Sequence, residues 1–244
     1  MNTPPRPTRR EERRMQTVQE IKQLAMDQIR QGGADAVTLS GIVREMSMSP
    51  AALYRYFANR DALLADLVFD AYNELADWLT GLELGAGSAV KNLDAVLRGT
   101  RRWALEHPNA YRLIFQTTIG SGEEFAADRL IPAASRSMAV IIDALAAVTG
   151  QQEATLVDNR QRAEVSVSEA LRTWGDRSGL SEFSTGVLAL ALLTWTRLHG
   201  IISLELGGHL TATGIGANTL FDLEVQAIHS QAASLPPATK HLSH

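Results

Sequence analysis

The chain has 244 residues, of which 45% are hydrophobic, and this length is enough for one or two domains with a buried core. The composition excludes a fully disordered or collagen-like chain, and the absence of cysteine excludes disulfides, thiolate metal sites and a cysteine nucleophile. The net charge of −4 is unevenly distributed, because residues 1–60 hold 10 Lys and Arg against 6 Asp and Glu, whereas residues 61–244 hold 13 against 21. A basic N-terminal segment therefore precedes an acidic body.

The first predicted helix follows a segment that we expect to be a flexible basic arm, at residues 1–14. Residues 1–8 are rich in proline and precede a cluster of four arginines, Arg9, Arg10, Arg13 and Arg14. From about residue 11 to residue 31, apolar side chains recur at steps of three and four, which is the period of an amphipathic helix. The Gly32-Gly33 pair ends this helix.

Three further helices are predicted in the first third of the chain. Thr38 is the expected N-cap of a helix of about two turns. Ser49, followed by Pro50, is the expected N-cap of a third helix, which reaches about Phe57. Asn59 caps a fourth helix, whose apolar stripe runs from Leu63 to Leu79 and ends at Gly81, where a glycine-rich segment begins.

That glycine-rich segment, at residues 81–88, is the predicted boundary between two domains. Beyond it the spacing of apolar residues predicts six helices, at about 89–106, 108–118, 123–149, 160–177, 182–207 and 217–233. No segment alternates apolar and polar residues as a strand would, and we expect residues 234–244 to be a disordered tail. The predicted fold class is all-α.

Two of these helices, at 38–46 and 49–57, are joined by a tight turn, as in a helix-turn-helix. Such a unit places its second helix in the major groove of DNA. Small residues at the start of the second helix allow close approach to base edges, and Leu53 and Phe57 face inward. Three side chains then face outward: Tyr54, Arg55 and Tyr56. Because outward aromatic residues beside an arginine are unusual on a solvated helix, contact with DNA is the favoured interpretation.

Residues 38–64 resemble the DNA-binding domain of TetR/AcrR-type transcriptional regulators, in which a Leu-Tyr-x-x-Phe run is followed by a basic residue and Leu-Leu. In this chain the run begins at Leu53 and the basic residue is Arg60. Family members often carry Gly at the position of Ser47 and His at the position of Tyr56. The resemblance implies an N-terminal domain of three helices with a slightly strained turn at Ser47.

The resemblance also implies which residues contact DNA. Those expected to contact phosphates are Thr38, Ser49, Tyr54 and Arg60. Those expected at the bases are Ala51, Arg55 and Tyr56, and an arginine can bind guanine through two hydrogen bonds. Ala52 is also expected in the DNA-binding surface, as one of the small residues that allow close approach to base edges and phosphates. The arginines at residues 9–14 are interpreted as an arm for the DNA backbone or minor groove, with a solvated basic tail as the alternative.

A second, weaker resemblance lies in the C-terminal half. Trp195, His199 and Gly200 form a segment that looks like the WHG type of TetR C-terminal domain, and residues 107–115 are similar to a helix junction common in these ligand-binding domains. The family implies a homodimer that binds a palindromic operator and releases it when a small molecule enters the C-terminal domain. The implied domains are a helix-turn-helix domain at 15–60, a connecting helix at 61–80, and a ligand-binding and dimerisation domain at 81–233.

The helix at 182–207 is apolar on nearly all sides, so one neighbour cannot cover it. The simplest arrangement packs one face in its own domain and another against a second subunit, with the helix at 217–233 completing a four-helix interface. A large monomeric core is the alternative. Six side chains are candidates to line a ligand cavity: Trp103, Tyr111, Phe115, Trp174, Trp195 and His199. Core packing is the alternative role for each of them, and for His199 a contact with a backbone carbonyl.

Enzyme motifs are absent from the sequence. The glycine pairs lack the strand and spacing of a nucleotide-binding loop, and no HExxH sequence or nucleophile elbow is present. We therefore expect no catalytic residue, no cofactor and no metal site, although Glu205 and His209 are four residues apart. With no signal segment and no charge-free span, we expect a cytoplasmic protein without a membrane partner. The alternatives to a ligand-responsive repressor are a helical small-molecule binding or enzymatic protein without DNA binding, and an adaptor for another protein.

Overall fold

A computed structural model of the chain describes residues 8–85, 88–117, 129–149 and 161–235. Within these ranges it contains α-helices and short 3₁₀ helices and no strand, which confirms the all-α prediction. The α-helices are α1 (Arg9–Gly32), α2 (Leu39–Glu45), α3 (Pro50–Leu53), α4 (Arg60–Thr80), α5 (Ala89–Glu106), α6 (Pro108–Phe115), α7 (Ile131–Thr149), α8 (Gln161–Ser178), α9 (Thr185–Leu206) and α10 (Ala217–Ser234). The 3₁₀ helices are Ala34–Ala36 and His209–Thr213.

Two predicted boundaries in the N-terminal third differ from the structure. Helix α1 begins at Arg9, so the basic cluster expected in a flexible arm is helical. Helix α3 ends at Leu53 rather than at about Phe57, because the amides of Arg55 and Tyr56 bond to carbonyls three residues back instead of four. The expected arm before residue 8, the start of the helix predicted at 123–149 and the tail beyond residue 235 lie outside the described residues.

The chain divides into two compact units, which we call the N-terminal unit (residues 1–71 and 109–126) and the C-terminal unit (residues 72–108 and 127–244). In the N-terminal unit, α1 is tied to α4 by Lys22, whose Nζ lies 2.6 Å from Asp66 and 2.7 Å from Asp70. Burial would lower the pKa of Lys22, but hydrogen bonds to the two carboxylates and their charges raise it. This buried cation therefore stays charged and fixes α1 against α4.

Helix α4 continues from the N-terminal unit into the C-terminal unit, with the division at Ala71 and Tyr72. Its C-terminal half is held within the second unit by Arg136 of α7. The guanidinium of Arg136 donates to Asn73 Oδ1 and to Asp77 Oδ1, both at 2.6 Å. Each half of α4 is thus joined by a cation to a helix of its own unit.

Helix α9 lies at the centre of the C-terminal unit and packs against α5, α7, α8 and α10. By length and composition alone, α7 and α9 could each cross a membrane. They instead pack against each other, and Ala191, Leu198 and Ile202 of α9 are buried, as in the core of a helical domain.

Arg101 of α5 joins three helices of the C-terminal unit. Arg101 forms a two-pronged pair with Glu205 of α9, at 2.8 and 2.6 Å, and also donates to Asn218 of α10 at 2.7 Å. Its guanidinium lies 5.0 Å from the centre of the Phe221 ring. Planar guanidinium groups suit such simultaneous pairing and stacking, so Arg101 fixes α5 against α9 and α10.

Candidate nucleic-acid interface

The two short helices of the N-terminal unit begin where the sequence predicts. The hydroxyl of Thr38 accepts a hydrogen bond from the amide of Gly41 at 3.3 Å, and the hydroxyl of Ser49 accepts one from Ala52 at 3.3 Å. Pro50 occupies the first turn of α3. These caps satisfy amides that have no partner inside such short helices, and both predicted N-caps are confirmed.

The turn between α2 and α3 depends on an unusual backbone conformation at Ser47. This residue has a φ of +51°, and it is the only residue other than glycine in the described part of the chain with a positive φ. A side chain in the left-handed region is disfavoured by about 1–2 kcal/mol because Cβ crowds the following carbonyl. The strain expected where family members often carry glycine is therefore present.

Helix α3 and the turn after it display the side chains expected to meet DNA. Leu53 and Phe57 are buried, as predicted, and they anchor this segment in the N-terminal unit. Tyr54 is 56% exposed. The other predicted contacts are exposed at Thr38, Ser49, Ala51 and Arg55 and half-buried at Ala52 and Tyr56.

Arg60, an expected phosphate contact, is held by the protein itself. Its Nε donates to the carbonyl of Val37 at 3.0 Å, and a terminal nitrogen donates to the carbonyl of Ala34 at 2.6 Å. These bonds join the start of α4 to the segment before α2. A structural role was missed from the sequence, because carbonyl acceptors more than 20 residues away leave no local signal.

Helix α1 begins with a capping box. The backbone amide and the hydroxyl of Thr8 donate to Glu11 Oε2 at 2.7 and 2.9 Å, and the amide of Glu11 donates to Thr8 Oγ1 at 3.3 Å. The hydrogen bonds from the Thr8 backbone and hydroxyl lower the pKa of Glu11. A Thr-x-x-Glu box of this kind orders the first turn of a helix, here the one that carries the arginines.

A groove of about 1010 Å³ lies between the start of α1 and residues 48–56, which we call the recognition segment. Its α1 side includes Arg9, Arg10, Arg13 and Arg14, and the opposite side includes Met48, Ala52, Arg55 and Tyr56. Arg14 lies over the ring of Tyr56, with the guanidinium carbon 5.4 Å from the ring centre. The structure therefore brings the basic cluster and the recognition segment together in one groove.

The six candidate ligand residues fall into separate places. Tyr111 and Phe115 belong to the N-terminal unit, where their rings lie 4.9 Å apart. In the C-terminal unit, Trp195 and His199 meet edge to face at 5.0 Å. Burial lowers the pKa of His199 to about 4, so its imidazole is neutral at physiological pH.

Trp103 and Trp174 complete this set. Trp174 is half-buried, whereas Trp103 is fully buried and its indole Nε1 has no hydrogen-bond partner among the described residues. The Trp103 ring stacks on His107 at 5.7 Å, and His107 also meets Trp78 at 5.9 Å. The ring contacts of His107 with Trp103 and Trp78 were not predicted from the sequence, although His107 follows the end of α5 four residues after Trp103, and this spacing would have indicated the first contact.

The described residues contain no group of three or more His, Cys, Asp or Glu side chains arranged to hold a metal ion. Both carboxylate oxygens of Glu205, which lies four residues before His209, accept hydrogen bonds from Arg101.

Comparison with known families gives matches in both parts of the chain. The family described as bacterial regulatory proteins, tetR family, matches residues 21–67. The family described as tetracyclin repressor-like, C-terminal domain, matches residues 93–228. The first match contains α2 and α3, and the second begins in α5 and ends in α10.

Individual proteins match over most of their length. The HTH-type transcriptional regulators Rv1816 of Mycobacterium tuberculosis and Mb1846 of Mycobacterium bovis are each 30% identical over 207 residues, which is 84% of this chain and 86% of theirs. The solved structure of SCO4313, described as a regulatory protein, is 36% identical with a TM-score of 0.70, over 91% of this chain and 98% of that one. A protein of unknown function from Rhodococcus sp. RHA1, at 19% identity, has a TM-score of 0.65 over 89% and 95% of the two chains and supports the fold alone.

Proposed function

Because the chain belongs to the TetR family of DNA-binding transcriptional regulators, we propose that it is a homodimeric repressor released from a palindromic operator by a small-molecule inducer. The observation that carries the proposal is the exposed recognition segment, with Tyr54 and Arg55 facing solvent beside a groove rich in arginine. In this proposal the protein acts by binding DNA and the inducer and catalyses no reaction. Its place of action is the cytoplasm.

In this proposal the domains are those expected from the sequence. Residues 15–60 read DNA, residues 61–80 connect, and residues 81–233 bind the inducer and dimerise. Arg55 contacts a base edge, and Thr38, Ser49 and Tyr54 contact phosphates.

Support for the dimer comes from exposed leucines on α9 and α10. Leu193, Leu204 and Leu223 are 49%, 44% and 57% exposed in the single chain. Leu193, Thr196, Gly200 and Leu204 recur along α9 at steps of three and four, so they form one exposed face. A second copy covers this face with its own α9 and α10 and sets two recognition helices about 34 Å apart, one turn of DNA.

The inducer binds in the C-terminal unit, where its candidate contacts are Trp103, Trp174, Trp195 and His199. Trp195, His199 and Gly200 are the basis for proposing a WHG type of C-terminal domain. Because His199 is neutral, it offers the inducer a hydrogen bond rather than a charge. An inducer that prefers the conformation with wrongly spaced recognition helices weakens DNA binding by its differential affinity, with α4 as the connection.

The proposal is tested by measuring binding of the full chain to DNA from the neighbourhood of its own gene, at about 50 and about 200 mM salt. A regulator that neutralises phosphates loses affinity steeply between these concentrations. Absent or salt-insensitive binding to every sequence tried would overturn the proposal. Turnover of a bound compound without DNA affinity would favour a helical enzyme instead.

Variants of Arg55 and Arg60 test which residue supplies sequence preference and which supplies affinity for any DNA. Arg55→Ala should reduce the preference for the operator over unrelated DNA, by about 1–3 kcal/mol for each half-site. Arg60→Ala should weaken binding to all sequences alike, because Arg60 holds the backbone before α2. The reverse pattern would mean that the two roles are exchanged.

The dimer is tested by sedimentation of Leu193→Glu, which should give monomers with weaker operator binding. Val167→Glu is a matched control, since Val167 is equally apolar, 56% exposed and on α8. A Leu193→Glu protein that remains dimeric would contradict the α9 interface.

A further inference from the structure

We propose that the first two turns of α1 form an ordered helical arm that binds the DNA sugar-phosphate backbone, and that Tyr56 holds this arm in place instead of reading a base. The inference rests on the proposed function, because it concerns the same DNA. It differs from the sequence expectation in two respects: the arm is a capped helix, and Tyr56 is a positioning residue.

The arm presents a basic face of defined geometry. Arg10, Arg13, Arg14 and Thr17 are spaced at three, four and seven residues from the first, so they lie on one side of α1. All four line the groove opposite the recognition segment. The capping box at Thr8 and Glu11 orders this turn before any partner binds, which reduces the entropy lost on binding.

The charges of the arm are available to a partner. Arg9, Arg10 and Arg13 are exposed, and in the described part of the chain no carboxylate lies within 4.0 Å of them. The one acid of this segment that lines the groove, Glu11, gives its carboxylate to Thr8. A row of arginines without internal partners suits a polyanion, and arginine binds phosphate through two parallel hydrogen bonds.

Tyr56 links the arm to the recognition segment. Its side chain is half-buried, and the face of its ring is occupied by the Arg14 guanidinium at 5.4 Å. Arg55, the adjacent residue, is exposed and lines the same groove. The geometry therefore leaves Arg55 to meet the bases, while Tyr56 serves as the platform that keeps the arm beside it.

The experiment compares salt dependence of operator binding for Arg10→Gln/Arg13→Gln and for Arg30→Gln. Arg30 is a matched control, because it lies in the last turn of the same helix and pairs with Asp27. The double variant should lower the slope of log K against log salt by about 2 for each protomer, since each phosphate contact contributes about 0.9. Arg30→Gln should leave the slope unchanged.

The role of Tyr56 is tested with Tyr56→Phe and Tyr56→Leu. Phenylalanine keeps the aromatic face for Arg14, so Tyr56→Phe should keep the wild-type salt slope and operator preference. Tyr56→Leu and Arg14→Gln should each lower the slope, because each removes the contact between the Tyr56 ring and the Arg14 guanidinium. The preference for operator over unrelated DNA, which Arg55 supplies, should remain. Circular dichroism of each variant checks that α1 stays folded.

The outcomes separate this inference from the proposed function. If the wild type binds an operator but the double variant has the same salt slope, the arm is overturned and the regulator stands. If Tyr56→Phe and Tyr56→Leu both abolish operator preference with an unchanged slope, Tyr56 reads a base and its positioning role is overturned. If the wild type binds no DNA, both the proposed function and the arm fail.

Discussion

The exposed arginines beside the groove of the N-terminal unit differ from four arginines of the C-terminal unit in whether they have an acidic partner. In the N-terminal unit, Arg9, Arg10, Arg13 and Arg55 are exposed and have no acidic partner among the described residues. In the C-terminal unit, four arginines pair with carboxylates on the same or another helix: Arg98, Arg101, Arg136 and Arg197. The uneven charge of the chain thus has a structural counterpart, because these four arginines of the C-terminal unit have acidic partners and these four of the N-terminal unit do not. Other cations of the N-terminal unit are paired, as Lys22 is with Asp66 and Arg30 is with Asp27.

The largest expected change in the free energy of unfolding comes from breaking a buried ion pair of the C-terminal unit. Arg101→Met leaves the carboxylate of Glu205 largely buried without a partner, since these side chains are only 14% and 17% exposed. We expect the free energy of unfolding to fall by about 3–5 kcal/mol, and Arg101→Met/Glu205→Met to recover much of it. Urea unfolding followed by tryptophan fluorescence measures this, because Trp78, Trp103, Trp174 and Trp195 all belong to the C-terminal unit.

The control for that prediction is Arg98→Gln. The pair between Arg98 and Asp222 is about half exposed, at 48% and 49%, so its loss should lower the free energy of unfolding by less than about 1 kcal/mol. Equal effects of Arg101→Met and Arg98→Gln would show that burial does not distinguish the two pairs.

The next effect concerns pH. Burial holds the pKa of His199 at about 4 in the folded chain, whereas the ordinary pKa of histidine is 6.5, so protonation between these two pH values favours unfolding. The stability that neutral His199 provides is present above about pH 6.5 and is lost as the pH falls toward 4, with about 2 kcal/mol lost by pH 5. Tryptophan-monitored unfolding at about pH 7 and pH 5 should therefore show a smaller acid effect in His199→Gln.

His209→Gln is the control for this experiment, because His209 is exposed. It should keep the acid sensitivity of the wild type. The N-terminal unit should respond at the other end of the scale, since the raised pKa of Lys22 gives stability that is lost only as the pH rises through that value. An unchanged pH dependence in His199→Gln would contradict the assignment of the acid effect to this residue.

A smaller effect is expected in the turn of the DNA-binding unit. Ser47→Gly should raise the free energy of unfolding by about 1 kcal/mol, because glycine adopts a positive φ without the Cβ penalty. Ser47→Ala keeps Cβ and should give no gain. Thermal unfolding by circular dichroism measures both, and equal stability of the two variants would argue against backbone strain at this residue.

The smallest expected change in the free energy of unfolding is for substitutions of the exposed arginines of the N-terminal unit. Arg55→Ala and Arg13→Gln should change the free energy of unfolding by less than about 0.5 kcal/mol, because neither side chain has an acidic partner to lose among the residues that the structure describes. A larger loss of stability in either variant would show that these arginines have a structural role, as the paired arginines of the C-terminal unit do.

Local features were predictable from the sequence. The caps at Thr38 and Ser49, and the bond from the amide of Ala62 to Asn59 at 2.8 Å, follow from residue types that satisfy helix ends. The helix predicted at 89–106 matches Ala89–Glu106. The Thr8-x-x-Glu11 sequence also predicts a capping box, but the prolines before it favoured a flexible arm over a helix that begins at Arg9.

Features that depend on distant partners were not predictable. The role of Arg60 depends on carbonyls of Ala34 and Val37, and that of Arg101 on a carboxylate 104 residues away. The position of Arg14 over Tyr56 likewise joins α1 to the turn after α3, two segments with no common periodicity. The spacing of apolar residues predicts which face of a helix is buried but does not predict which other helix packs against it. The partners of charged side chains on different helices can therefore be identified only from the structure.

Helix α4 has a mechanical consequence for the proposed regulator. Its 21 residues form one uninterrupted helix about 30 Å long. Lys22 forms ion pairs with two carboxylates of the first half, and Arg136 donates hydrogen bonds to Asn73 and Asp77 of the second half. A continuous helix is stiff in bending and torsion compared with a loop. A load on either half would therefore strain the ion pairs of that half before the helix itself, so the contacts of Lys22 and Arg136 are where each half of α4 would first separate from its neighbouring helix.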